Sequence, residues 1–162
     1  DTVRIGDDIA TQQGLLVSPR LYREFIKPHH KAAIDAAREI IPDLPVEYHS
    51  DGRLNDLLDD LIEIGVTSIN PVQPECMDLG EIGAQYGDRL VLWGCTAVQS
   101  TYAHGTPEDI RRETRTLLRE TASVHGLIIQ FMNIVITPTV LRNLGAFFEA
   151  FVECGEVVGQ GG

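Results

Sequence analysis

Apolar residues along the chain follow two spacings, one typical of amphipathic helices and one typical of short strands. The clearest helical spacing, at intervals of three and four residues, is that of Leu54, Leu57, Leu58, Leu61 and Ile62, and this helix is predicted to stop at the following glycine. Other helices are predicted to begin at Ser18, Thr106 and Thr137, each followed by a proline, and a short helix is predicted near residues 78–86. The first of them should kink or break at Pro28. Short apolar runs predict strands at residues 3–6, 45–49, 66–70, 90–93 and 126–131.

Each predicted strand is followed by a predicted helix, an order that implies parallel strands joined by right-handed crossovers. A doubly wound sheet would usually carry a glycine-rich phosphate loop after its first strand, but residues 7–13 read DDIATQQ. Polar or reactive residues instead follow strand after strand, namely Asp7, Asp8, His49, Asp51, Asn70, Gln73, Cys95, Thr96 and Asn133. A (β/α)8 barrel builds its active site at these carboxyl ends, and closing its eight strands takes roughly 250 residues. We therefore predict an α/β fold, a partial (β/α)8 TIM barrel with parallel strands.

Charge and cysteine content exclude several classes of function. The formal net charge is −11 and the pI is near 4.7, so the long-range field opposes binding to nucleic acid and to anionic membranes. No apolar run approaches the roughly 18 residues of a membrane span. The three cysteines, Cys76, Cys95 and Cys154, have no paired spacing, which favours a reducing compartment over a disulfide framework. We expect a cytoplasmic protein.

Glu47, His49 and Asp51 are spaced two residues apart at the end of the second predicted strand. If the strand extends to Asp51, all three side chains share one face, the barrel interior, because Val46 and Tyr48 suit the layer against the helices. An imidazole between carboxylates can bind a metal or move a proton, which makes His49 and Asp51 candidate catalytic residues. The alternatives are that Asp51 caps the next helix and that His49 is a hydrogen-bonded interior residue.

Cys95 ends a neighbouring strand and would lie within reach of His49. The candidate metal ligands are therefore Glu47, His49, Asp51 and Cys95. A buried, inert thiol is the alternative for Cys95.

The loops after the strands carry further candidates. Asp7 and Asp8 either form a paired-carboxylate site, or one faces the barrel mouth while the other accepts from backbone donors. We favour Asp8 as the catalytic carboxylate, with Gln12 as its hydrogen-bonding neighbour. Gln73 either contacts a ligand or closes a loop flanked by prolines. The adjacent histidines at positions 29 and 30 are expected to lie in solvent.

Six blocks, in this order and at this spacing, resemble the middle of proteins of the uroporphyrinogen decarboxylase superfamily. They are residues 6–12 (GDDIATQ), 18–28 (SPRLYREFIKP), 49–52 (HSDG), 70–74 (NPVQP), 86–90 (YGDRL) and 105–109 (GTPED). The resemblance covers nearly the whole chain. It implies that the chain begins around the fourth barrel strand and runs through the eighth, about the last five βα units.

On this resemblance, residues 1–154 would form the C-terminal portion of the barrel and residues 155–162 a flexible tail. The first three strands, with the family's substrate-binding arginines and aspartate, would be absent. An open half-barrel exposes two strand edges and an apolar interior. We therefore expect a homodimer through these edges, and one alternative is a non-catalytic fragment that persists by associating.

The superfamily includes decarboxylases of porphyrinogens, which need no cofactor, and zinc-dependent methyltransferases that act with corrinoid proteins. The methyltransferase branch implies a His-x-Cys pair beginning at His49 and a later cysteine, but Asp51 stands where the first cysteine belongs, and carboxylate is a harder ligand than thiolate. The decarboxylase branch implies a histidine on the last strand, where this chain has Met132, Asn133 and Ile134.

The zinc pattern fails at more positions than the decarboxylase pattern does. We therefore expect the parent enzyme to decarboxylate tetrapyrrole carboxylates without a cofactor, and the isolated chain to be inactive. The residues expected to bind substrate are Asp7, Gln12, Gln73 and Asn133. Methyl transfer with zinc and a corrinoid protein is the alternative.

Overall fold

The computed structural model describes residues 2–130 and 137–158. Its strands are β1 (Val3–Gly6), β2 (Ala10–Thr11), β3 (Gly14–Leu15), β4 (Val46–His49), β5 (Ser68–Val72), β6 (Val91–Gly94) and β7 (Leu127–Ile129). Five of them form one parallel sheet in the order β1-β4-β5-β6-β7, while β2 and β3 form a separate antiparallel hairpin. The predicted parallel pairing is confirmed. Among the described strands, β1 and β7 each pair on one side only.

Helices cover the sheet between successive strands. They are α1 (Pro19–Leu21), α2 (Lys27–Ile40), α3 (Leu58–Glu63), α4 (Leu79–Tyr86), α5 (Thr101–His104), α6 (Pro107–Glu120) and α7 (Pro138–Val158). The hydroxyl of Thr106 accepts from the Asp109 amide, and the Asp109 carboxylate accepts from the Thr106 amide, which is the reciprocal cap typical of helix starts. No helix in the described part of the chain has the length and apolar character needed to cross a bilayer.

The hydrophobic core lies between these helices and one face of the sheet. Tyr48, Ile69 and Leu92 stand at paired positions of three adjacent strands and are fully buried on that face. Leu58 and Leu61, from the segment with the clearest helical spacing, are buried in the same cluster. Burial of this face leaves the opposite face of the strands, which we call the inner face, free to carry polar residues.

Two elements differ from their predicted form for reasons of proline geometry. Pro28 does not break the helix, because a π-helical segment, Tyr22–Ile26, joins α1 to α2 and the Lys27 amide donates to the Tyr22 carbonyl. The wider turn accommodates a proline that has no N–H to donate. Strand β5 runs past the predicted end at Asn70, and its register against β6 shifts around Pro71, as expected where a strand proline is tolerated at an irregularity.

The last predicted elements lie partly outside the described residues. Strand β7 is shorter than the predicted strand 126–131, whose final residue is not described. Helix α7 continues to Val158, within the segment 155–162 that was expected to be a flexible tail. Asn133, a predicted substrate-binding residue, also lies outside the described residues.

Candidate active site

The inner face of the sheet carries a polar cluster at the carboxyl ends of its first three strands. The register pairs Arg4 with Glu47, and it places His49 opposite Asn70. Glu47 and Asn70 are 2% and 0% exposed, respectively. Buried polar groups of this kind are stable only when they are paired or hydrogen-bonded.

Arg4 supplies that pairing by lying across the sheet. Its Nε atom donates to Glu47 Oε1 at 2.7 Å, and its Nη2 atom donates to Asn70 Oδ1 at 3.1 Å. The guanidinium carbon lies 5.8 Å from the centre of the Trp93 ring on the fourth strand of the sheet, within the range of a cation–π contact. One side chain therefore contacts residues of three neighbouring strands and neutralises the buried Glu47.

The same cluster fixes the orientation of the Asn70 amide and of the His49 ring. Arginine only donates hydrogen bonds, so the Asn70 atom that faces Arg4 must be the carbonyl oxygen. That oxygen also lies 2.7 Å from His49 Nδ1. Because it only accepts, His49 must carry a proton on Nδ1, and the neutral ring then has its lone pair on Nε2.

Trp93, on the fourth strand of the sheet, places an aromatic ring beside this cluster. The Trp93 indole N–H donates to Gln130 Oε1 at 2.6 Å, which holds the ring in place. Thr96 donates to the backbone carbonyl of the same glutamine at 3.0 Å. Ile128, paired in register with Trp93, is 42% exposed. The inner face is therefore polar at one side and apolar at the other.

The loops above the strands are joined by hydrogen bonds among the predicted site residues. Asp8 Oδ1 accepts from the Asp51 amide at 3.1 Å, and Gln73 Oε1 accepts from the Gly52 amide at 2.7 Å. Gln73 is buried, and its side-chain oxygen joins the loop after β5 to the loop after β4. Gln12 donates to Gln99 at the rim instead of to Asp8.

Asp51 does not extend the alternation of Glu47 and His49, because β4 ends at His49. The expected sharing of one strand face by all three residues is therefore wrong for Asp51. Nor does Asp51 cap the next helix, since the helical turn there begins at Asn55 without a side-chain cap.

A second row of titratable side chains runs from the carboxyl ends of the strands toward the helices on the other face of the sheet. Asp7 Oδ2 lies 3.0 Å from His30 Nε2, and His30 Nδ1 lies 3.3 Å from the Tyr22 hydroxyl. His30 is buried and Tyr22 fully so, and burial raises the pKa of Tyr22. The expectation that His30 lies in solvent is wrong: it packs against Tyr48 with ring centres 5.3 Å apart. His29 is exposed, as expected.

The predicted metal ligands do not form a metal site. Within residues 2–130 and 137–158, no three His, Cys, Asp or Glu side chains come together in a group that could hold a metal ion. Glu47 is bound to Arg4, and burial raises the pKa of the Cys95 thiol to about 12, so it is protonated at neutral pH. Zinc binds thiolates, not thiols. The set of Glu47, His49, Asp51 and Cys95 therefore does not fit zinc.

Sequence reasoning placed Asn70 only among the polar residues at strand ends, and it singled out neither Arg4 nor Trp93. A signal for Arg4 was present, because it stands between Val3 and Ile5 in an apolar strand and must point away from the core. The position of its guanidinium, which contacts residues on three neighbouring strands, follows from packing that no local pattern encodes.

Comparison with known proteins identifies the family of this fold and site. The protein-family model described as uroporphyrinogen decarboxylase (URO-D) matches residues 1–154. The chain belongs to the uroporphyrinogen decarboxylase family. The uroporphyrinogen decarboxylase of Pelodictyon phaeoclathratiforme is 29% identical over 119 residues, 74% of this chain and 31% of that protein. That of Chlorobium limicola is 29% identical over 120 residues, 74% of this chain and 32% of that protein.

A solved structure supports the partial barrel. A methyltransferase from Methanosarcina mazei superposes with a TM-score of 0.68 and 22% sequence identity, covering 94% of this chain and 42% of that one. At this identity the similarity shows the fold alone. This uroporphyrinogen decarboxylase-family chain spans about a third of the length of the decarboxylases it matches.

Proposed function

We propose that this chain supplies part of the active site of a barrel enzyme that decarboxylates tetrapyrrole carboxylates without a cofactor. The proposal rests on membership of the uroporphyrinogen decarboxylase family and on one feature of the inner face. The Nδ1–H of His49 is held by Asn70, so Nε2 is the nitrogen left for a substrate. An imidazole with a fixed tautomer at a strand end is suited to proton transfer.

In this reaction the bond between a substrate carbon and its carboxyl group breaks, and CO2 leaves. The electron pair stays on the carbon, which must then receive a proton. We assign this transfer to His49, which takes up a proton from solvent water at Nε2 and delivers it to that carbon. Asp8, whose carboxylate accepts from the Asp51 backbone at the rim, is proposed to face the substrate with Asp7.

We further propose that the 162-residue chain alone does not convert substrate to product. The first and last strands of the described sheet each lack a neighbour on one side, and a barrel must close around its substrate. The match of this chain to about a third of each decarboxylase agrees with a site whose other part comes from additional strands.

The proposal is tested by anaerobic turnover of uroporphyrinogen, with its less carboxylated products separated by chromatography. The chain is assayed alone and after co-expression with the N-terminal part of the Pelodictyon phaeoclathratiforme decarboxylase that precedes the matched region. We expect product only from the combination. His49→Gln should lower the rate at least about 100-fold, the usual lower bound for an acid–base group, whereas exposed His125→Gln should leave it unchanged.

Two results would count against the proposal. Turnover by the chain alone, at the rate of a complete relative, would contradict the incomplete site. An unchanged rate for His49→Gln in the active combination would remove His49 from the proton transfer.

A further inference from the structure

The contacts that hold Arg4 leave part of its guanidinium exposed. Its side chain is 48% exposed, whereas that of its partner Glu47 is 3% exposed. The hydrogen bonds to Glu47 and Asn70 engage Nε and Nη2, and no other described residue accepts from Nη1. A guanidinium carries five N–H donors in a plane, so the Nη1 edge remains available on the inner face.

The surroundings of that edge are apolar on one side. Trp93 lies 5.8 Å from the guanidinium carbon, and Ile128 stands beside Trp93 on the next strand. A cation next to an aromatic wall matches a ligand that joins an anionic group to a flat apolar body. Asn70 Nδ2, a buried donor of the same cluster, has no hydrogen-bond partner among the described residues.

We propose that Arg4 and Trp93 form a subsite for a carboxylate carried on a flat, apolar skeleton. This rests on the proposed function only in placing the substrate on the inner face. A planar carboxylate matches the edge of a guanidinium. A doubly charged phosphate would be opposed more strongly by the neighbouring Glu47 and by the net charge of −11.

The simpler explanation is that Arg4 only neutralises Glu47. The two explanations make opposite predictions for Glu47→Gln. If Arg4 also binds a ligand, removing its internal counter-charge should strengthen carboxylate binding. If it only neutralises Glu47, that substitution should create no Arg4-dependent binding.

The experiment follows the indole N–H signal of Trp93 by NMR, since Trp93 is the sole tryptophan of the chain. The 162-residue chain is titrated with benzoate, with uncharged benzamide and with sulfate. We expect a saturable shift with benzoate only. Glu47→Gln should bind benzoate roughly tenfold more tightly, because a nearby like charge is removed.

The double variant Arg4→Gln/Glu47→Gln removes the cation without leaving a buried unpaired carboxylate, so it should fold. Its Kd for benzoate should be at least about tenfold higher than that of the unsubstituted chain, because one charge-assisted hydrogen bond contributes about that much affinity. Arg20→Gln, at an exposed arginine paired with Glu24, should bind like the unsubstituted chain.

The subsite is disproved if the double variant keeps full affinity, or if benzamide or sulfate shifts the Trp93 signal as benzoate does. Because binding is read without turnover, this outcome would leave the proton-transfer role of His49 standing. Conversely, benzoate binding with no decarboxylation in the combined barrel would refute the proposed reaction but keep the subsite.

Discussion

His49 Nδ1 and Asn70 Oδ1 lie 2.7 Å apart, and the same oxygen accepts from Arg4 at 3.1 Å. Arg4 acts on His49 through Asn70. Arginine sets the amide orientation of Asn70, and the amide sets the tautomer of the imidazole. The chemistry available at His49 is therefore decided by a residue on the first strand of the sheet.

Substitution of Asn70 tests this chain of causes. Asn70→Leu removes the acceptor, so His49 should lose its preference for the tautomer with the proton on Nδ1, and the fold should lose about 1–3 kcal/mol. Asn70→Asp keeps an acceptor and should keep the tautomer. The measurement is the pair of imidazole nitrogen chemical shifts of His49, with exposed His125 as internal control. Unchanged His49 shifts in Asn70→Leu would show that Asn70 does not set the tautomer.

Asp60 is a buried carboxylate that joins the π-helical segment and α2 to α3. It accepts from Arg23 at 2.9 Å and from Lys27 at 2.8 Å. Burial disfavours its charged form, but the hydrogen bonds from Arg23 and Lys27 outweigh burial and hold the pKa of Asp60 below its ordinary value. Its stabilising contribution is therefore present at neutral pH and is lost as the pH falls from the ordinary pKa through the lowered one.

Asp60→Asn should lower the free energy of unfolding by roughly 2–4 kcal/mol near pH 7, because charged donors lose their buried acceptor. In urea denaturation the deficit should shrink as the pH falls below the ordinary pKa of an aspartate, because the carboxyl group is then protonated in the unfolded chain. Asp35→Asn, at an exposed pair with Lys31, should cost less than about 0.5 kcal/mol at either pH. A pH-independent deficit for Asp60→Asn would contradict the ionic role.

The parts of the fold that the sequence predicts well are those set by local chemistry. The cap at Thr106 follows from hydrogen bonds within one turn, and the buried face of Leu58 and Leu61 follows from helical spacing. Parallel pairing followed from the alternation of elements. Pro28 was predicted to kink or break the helix, and it does not break it because the helix widens into a π-helical turn there.

The candidate site could be predicted only in outline. Strand alternation predicted that Glu47 and His49 share the inner face, and they do. The contacts of His30 with Asp7 and of Arg4 with Asn70, however, join residues 23 and 66 positions apart in sequence. Such contacts are decided by side-chain packing in three dimensions, which strand alternation does not specify.

Cys95 should be an unreactive thiol in the folded chain. It is 1% exposed, and burial raises its pKa to about 12, so the nucleophilic thiolate is scarce at neutral pH. Treatment with iodoacetamide near pH 8, followed by peptide mass spectrometry, should modify partly exposed Cys154 and leave Cys95 intact. In urea both should react. Rapid modification of Cys95 in the folded chain would make it a candidate metal ligand again.

The apolar surface beside β7 predicts self-association of the isolated chain. The exposed apolar residues next to this strand are Phe148 and Phe151 of α7. Phe147, Phe148 and Phe151 of α7 line a groove of about 250 Å³ with residues of α6 and β7. An unpaired strand edge beside such a patch is a site of association. We therefore expect a dimer at micromolar concentration by light scattering.

Phe148→Glu places a charge in this patch and should shift the mass toward a single chain, because burying an unpaired carboxylate in an interface is costly. Ile40→Glu is the matched control, since Ile40 is 83% exposed at the end of α2 and outside the patch. It should leave the dimer intact. A single-chain mass for the unsubstituted protein, without binding of a dye that reports exposed apolar surface, would show that this edge is already covered within one chain.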